Sequence, residues 1–227
     1  MICTPSRFFM KTAIIGASGG IGRALADALE EEGAVVRRFA RPELDLLDEA
    51  TVAAAAAAAG APELVIVATG ILHDGDDGPE KSIAALDPAW LARQYAINTI
   101  GPALVAKHFL PVMPKQGRSV LAFLSARVGS ISDNRLGGWY GYRASKAALN
   151  QLIRTLGIED KRRNDRGIVV GLHPGTVDTR LSKPFQQAGR DLFKPDRAAV
   201  QLLDVIDGLK PQDSGRLFAW DGAEIAP

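Results

Sequence analysis

The chain passes directly from Thr12-Ala-Ile-Ile15 into Gly16-Ala-Ser-Gly-Gly-Ile-Gly22, and from there into the helical period of Ile21 to Glu31. A lone glycine triplet is a weak signal, but here a strand precedes it and a helix follows. Gly16 permits a tight turn. Gly20 and Gly22 let backbone approach a pyrophosphate and let the helix pack closely on the strand. With Ser18, Gly19 and Ile21 they form a cradle in which a diphosphate would sit over the free N–H groups of the helix N-terminus. The alternative is a plain strand-to-helix turn, and the flanking elements argue against it.

Outward from this unit, short β-branched runs alternate with longer helical stretches, as in a mostly parallel sheet with helices on both faces. Ala34-Val-Val36 starts a second strand, reached through Gly33, and Asp48 caps a helix running through Ala53 to Ala59. Leu64-Val-Ile-Val67 is a continuous apolar run, as suits a strand buried on both faces. Trp90 to Phe109 reads as one helix, Ser119 to Leu124 as strand and Arg143 to Glu159 as helix. Ile168-Val-Val170 is a further strand, and Arg216 to Ala219 is expected to be the last. The fold class expected is α/β, a single Rossmann-type doubly wound parallel sheet. Residues 1–9 carry Pro5 without periodicity and read as a disordered arm, with residues 10–227 forming one domain.

Composition removes several function classes. With 27 Lys+Arg against 26 Asp+Glu the formal net charge is +1, which gives no electrostatic reason to expect nucleic acid or an anionic membrane as partner. Cys3 is the one cysteine, and His73, His108 and His173 show no ligand spacing, so no disulfide framework and no metal site are expected. The alanine-rich run Val52 to Ala61 falls short of the ~18 residues of a membrane span. Met1 to Met10 lacks the apolar core of a secretory signal, so a cytoplasmic location is expected.

Two further stretches carry chemistry. Tyr142-Arg-Ala-Ser-Lys146 puts a phenol and an ammonium four residues apart at the start of a helix, hence on one face. A cation beside a phenol is expected to lower its pKa and make it an acid usable near neutral pH. Taken alone, the pattern reads better as an exposed helical pair. At the end of the second strand, Arg37-Arg-Phe-Ala-Arg41 has Ala40 where an NAD-binding chain keeps an acid for the ribose hydroxyls. Arg41, with paired donors and permanent charge, suits a 2′-phosphate, so NADP(H) is expected over NAD(H).

The glycine turn followed at this distance by Tyr142 and Lys146 resembles the short-chain dehydrogenase/reductase family, from Lys11 onward. Gly129-Ser-Ile-Ser-Asp-Asn134 through Gly137-Gly-Trp-Tyr-Gly-Tyr142 resembles its C-factor and sniffer-like branch of small carbonyl reductases. The resemblance implies an oxidoreductase that reduces an aldehyde or ketone, with Tyr142 as proton donor, Lys146 on the nicotinamide ribose and Asn98 holding a water in a proton relay. It assigns cofactor contacts to Asp45 and Leu46, to Ala68 and Gly70, and to Pro174, Gly175, Val177 and Thr179. It also implies a homodimer or homotetramer. The connection Arg180 to Pro195 would line the substrate pocket, with Leu181, Phe185 and Phe193 suiting an apolar carbonyl compound.

Three positions depart from the family pattern. Ile15 replaces a threonine, and Val67-Ala-Thr-Gly70 replaces Asn-Asn-Ala-Gly. Ser125-Ala-Arg-Val-Gly129 puts Ala126 at the catalytic serine position; Ser125 is one residue away, where alternate strand residues face opposite sides, and substitutes only if the strand has already ended there. A slow enzyme is therefore expected. The alternative is an NADP-binding regulatory or signalling protein of the C-factor type with weak or no turnover. The retained Tyr142, Lys146 and Asn98 favour the enzyme.

Overall fold

Apolar runs set the centre of the molecule. The computed structural model describes residues 11–75, 78–185 and 192–227. Its strands are β1 (Lys11–Ile15), β2 (Val35–Phe39), β3 (Leu64–Val67), β4 (Ser119–Leu124), β5 (Gly167–His173), β6 (Leu217–Ala219) and β7 (Glu224–Ile225). They form one sheet in the order β2-β1-β3-β4-β5-β6-β7, parallel throughout except for antiparallel β7 at the edge. The order reverses between β1 and β3, which is where open α/β sheets leave a crevice at the strand carboxyl ends.

Alternation along each strand separates two cores. Ile14, Ile66, Ala122 and Val170 pack against α1 (Gly20–Glu31) and α6 (Pro195–Gly208). Ile15, Val67, Phe123 and Val169 face the other side, covered by α2 (Glu49–Ala58), α4 (Gly101–Phe109) and α5 (Tyr140–Arg163). All of β3 and β4 is buried, as the apolar runs Leu64–Val67 and Val120–Leu124 require. The remaining helix, α3 (Pro88–Tyr95), starts at Asp87, whose carboxylate accepts from the Trp90 N–H at 2.7 Å. Asp48 caps α2 in the same way, as expected.

Several boundaries differ from the sequence expectation. The helix from Trp90 to Phe109 is α3 and α4 joined by a π-helical turn, Ala96–Ile100. Pro102 has no N–H to give the Asn98 carbonyl, so the α-helical ladder cannot run unbroken. Helix α5 begins three residues before Arg143 and ends at Arg163, which donates to Asp160 at 2.7 Å. Helix α6 adds to the expected elements, with Pro195 in its first turn and Ala198, Ala199, Leu202, Leu203 and Ile206 on one face. Arg216 to Ala219 is not the last strand, since Gly222 turns the chain back into β7. The expectation for residues 1–9 lies outside the described residues, as do residues 186–191 of the connection Arg180 to Pro195. No helix among the described residues is long and apolar enough to cross a membrane.

Candidate active site

A cleft of about 1660 Å³ opens at the carboxyl ends of the strands. Its first half is built by the glycine turn. Gly16 takes φ +87, in the left-handed region, and its N–H donates to the Phe39 carbonyl at 2.8 Å. Gly22 does not reach the cleft. A methyl there would stand 2.3 Å from the Gly16 carbonyl oxygen, so this glycine serves helix–strand contact alone. Helix α1 has Gly19 at its N-cap with no side-chain cap, and Ser18, Gly19, Gly20 and Ile21 line the cleft. First-turn N–H groups without intrahelical partners therefore face it, which fits an anionic diphosphate.

The rest of this half carries the expected residues. Arg41, Asp45, Leu46, Ala68 and Gly70 line one wall, and Pro174, Gly175, Val177 and Thr179 the other. Of the arginines at the end of β2, Arg38 is engaged by Asp27 at 2.6 Å and Glu30 at 2.7 Å. Arg37 lies over the Phe39 ring. Arg41 is the one that lines the cleft, and the neighbouring wall position is Ala40 rather than an acid. The residues present fit an NADP-type dinucleotide.

The second half is built on α5. Tyr142 and Lys146 lie one helical turn apart, 8% and 3% exposed, with the Lys146 Nζ 5.9 Å from the Tyr142 ring centroid. Lys146 Nζ donates to the Leu124 carbonyl at 2.9 Å, at the end of β4. Burial pushes the Tyr142 phenol up to about 12 and pulls Lys146 down to about 8. The expected lowering of the phenol is thus corrected: in this structure desolvation outweighs the neighbouring ammonium.

Asn98 sits behind the cleft rather than on its surface. It is fully buried in the π turn, accepting from the Ile71 N–H at 2.8 Å and donating to the Ile71 carbonyl at 2.9 Å and to Ser145 Oγ at 3.1 Å. Its side chain braces the segment after β3 and ties it to α5. Strand β4 ends at Leu124, so alternation does not carry on through Ser125 and Ala126, and both line the cleft. Ser125 Oγ donates to Asn150 Oδ1 at 2.6 Å, whereas Ala126 packs with Leu72 and Tyr142.

An aromatic wall closes this end. The Trp139 ring meets Phe185 at 5.6 Å and Tyr142 at 6.2 Å, and Phe185 meets His73 at 5.7 Å. Leu181 and Phe185 line the cleft as expected, but Phe193 does not. It packs edge-on against Trp220 at 4.8 Å in a separate cluster, under the Arg197 guanidinium. Thr69, His73, Trp139 and His173 also line the cleft, in addition to the residues expected there. Thr69 and Trp139 fall in stretches compared with the family pattern, and His173 directly precedes Pro174-Gly175. Among the described residues, no group of three or more His, Cys, Asp or Glu side chains could hold a metal ion.

A mostly parallel sheet with a glycine cradle at its reversal point, facing a Tyr–Lys pair, is the architecture of the α/β dinucleotide-binding fold. The family model described as enoyl-(acyl carrier protein) reductase matches residues 43–207, and the chain belongs to the short-chain dehydrogenase/reductase family. C-signal of Myxococcus xanthus is 37% identical over 156 residues, covering 68% of this chain and 89% of that protein. The 1-hydroxy-2-glutathionyl-2-methyl-3-butene dehydrogenase of a Rhodococcus species is 30% identical, covering 92% of this chain and 96% of its own. Among solved structures, the NADPH-bound carbonyl reductase from chicken fatty liver superposes with a TM-score of 0.82 at 24% identity, covering 96% and 99% of the two chains. The Drosophila melanogaster carbonyl reductase Sniffer gives 0.80 at 21% identity, covering 96% and 99%. These two likenesses speak to the fold.

Proposed function

We propose that this protein is an NADP(H)-dependent carbonyl reductase that converts an aldehyde or ketone to an alcohol. The observation that carries the reading is the convergence of Tyr142 and Lys146 on a cleft whose other half offers an uncapped helix N-terminus and Arg41. The NADPH-bound carbonyl reductase that shares the fold is in keeping with it. When bound, the reduced nicotinamide supplies the hydride. The protein's own groups do the rest. The first turn of α1 holds the diphosphate, and Arg41 grips the 2′-phosphate. Lys146, on the same face of α5 as Tyr142, holds the nicotinamide ribose. Tyr142 Oη gives its proton to the carbonyl oxygen as that oxygen becomes a hydroxyl. Asn98 holds Ile71 and the first turns of α5 in register. Trp139, Phe185 and Leu72 keep water from the reacting carbonyl and favour an apolar substrate.

A second reading, an NADP-binding regulator with weak turnover, draws support from Ala126 at the position where a serine would contact the substrate oxygen. One variant separates the two. In Tyr142→Phe, NADPH oxidation by a panel of aldehydes and ketones should fall to background while the Kd for NADPH stays within twofold. A wild-type protein that binds NADPH yet reduces no member of the panel supports the regulator.

A further inference from the structure

The first turn of α5 starts on a residue that caps nothing. Trp139 occupies its N-cap with φ +55, in the left-handed region, and its side chain makes no capping hydrogen bond. The cap comes instead from Glu80, 61 residues earlier, whose Oε2 accepts from the Gly141 N–H at 3.0 Å. The Glu80 main-chain carbonyl accepts from the Trp139 N–H at 2.5 Å. Glu80 Oε1 accepts from Gln94 Nε2 at 3.1 Å, in the last turn of α3.

This is a built arrangement. Glu80 is 4% exposed and Gln94 fully buried, and a carboxylate is costly there unless its oxygens are bonded. An acceptor at the positive end of a helix is well placed. Gly141 leaves the space for it: a methyl at that position would stand 2.4 Å from Gln94 Nε2 and 2.8 Å from Glu80 Oε1. The residue after Gly141 is Tyr142, and four residues after Gln94 is Asn98.

We propose that Glu80 is a positioning residue, a clamp that joins α3 to the first turn of α5 and thereby sets Trp139 and Tyr142 against the cleft. Its effect on turnover rests on the carbonyl reductase reading, whereas its effect on the helix start does not. Glu80→Ala frees the first turn, and a reacting group displaced by about 1 Å costs up to roughly 100-fold in rate. Glu80→Gln keeps the acceptor for Gly141, and with the Gln94 amide turned over its NH2 donates to Gln94 Oε1, which has no partner among the described residues.

The test compares wild type, Glu80→Ala and Glu80→Gln, each saturated with NADPH, with benzaldehyde as the probe carbonyl. In Glu80→Ala, kcat should drop roughly 10- to 100-fold. The Kd for NADPH should hold within twofold, and amide hydrogen exchange should accelerate at Gly141 and Tyr142 but not in α1. Glu80→Gln should return kcat and exchange most of the way to wild type. Unchanged exchange in Glu80→Ala overturns the clamp, as does a Glu80→Gln protein no better than Glu80→Ala. Wild-type protein that oxidises no NADPH with benzaldehyde counts against the carbonyl reductase reading, and the exchange measurements then decide the clamp alone.

Discussion

At the scale of single residues, Ala126 and Ser125 are the informative pair. Both line the cleft, but the Ala126 methyl packs with Tyr142, while the Ser125 hydroxyl is engaged by Asn150. A serine at 126 would add a second donor to the substrate oxygen, and one such donor is worth about 10²–10³ in kcat. Ala126→Ser should therefore raise turnover toward that range with NADPH affinity unchanged. Ser125→Ala should leave turnover alone and cost about 1 kcal/mol of stability. Loss of turnover in Ser125→Ala would show that Ser125 serves the substrate instead. Arg41 gives a second residue-scale test. A charged hydrogen bond to the 2′-phosphate is worth about 1.5–3 kcal/mol, so Arg41→Ala should weaken NADPH binding roughly 10- to 100-fold. NADH binding should change little, and equal losses for both dinucleotides would remove Arg41 from the phosphate site.

At the scale of elements, the π turn between α3 and α4 matters because it delivers Asn98 to Ile71. Asn98→Ala leaves a main-chain donor and acceptor without their partner, at about 1–3 kcal/mol for each orphaned group. A lower urea midpoint with an unchanged m-value should result, and an unaltered midpoint would mean that water replaces the amide at no cost. Elements also differ in how plainly they are written. The starts of α2 and α3 are encoded next door, since Asp48 and Asp87 cap within three residues. The start of α5 is not, because the group that caps it belongs to a distant stretch of chain.

For the whole molecule, buried titrating groups shape stability against pH. Burial, with the Arg127 charge adding to it, pulls His173 down to about 4, against the opposing pull of Asp221. The unfolded chain takes up this proton near pH 6.5 and the folded chain only near 4, so stability falls as pH drops through that window, by roughly 3 kcal/mol. Lys146 acts at the other end. The folded protein releases its proton near pH 8 while the unfolded chain keeps it to about 10.5, so stability rises across that interval. Above pH 10 Tyr142 reverses the trend, because the unfolded chain loses a phenolic proton that the fold retains to about 12. Urea midpoints measured from pH 4 to 12 check this. His173→Asn should flatten the acid limb and Lys146→Met the limb above pH 8; unchanged slopes would show that these groups titrate alike in both states.

What the amino-acid order determined alone is whatever depends on near neighbours. The strand–glycine–helix unit, the apolar runs of β3 and β4, the cap of α2 and the four-residue spacing of Tyr142 and Lys146 need only local sterics and periodicity, and all stand in the structure. Tertiary structure decided whatever depends on burial or on distant partners. It moved Phe193 away from the cleft to Trp220 and started α5 on Glu80. It also turned the expected acidic phenol into one held near 12, because desolvation comes from every element packed around a residue and not from the neighbour one turn away.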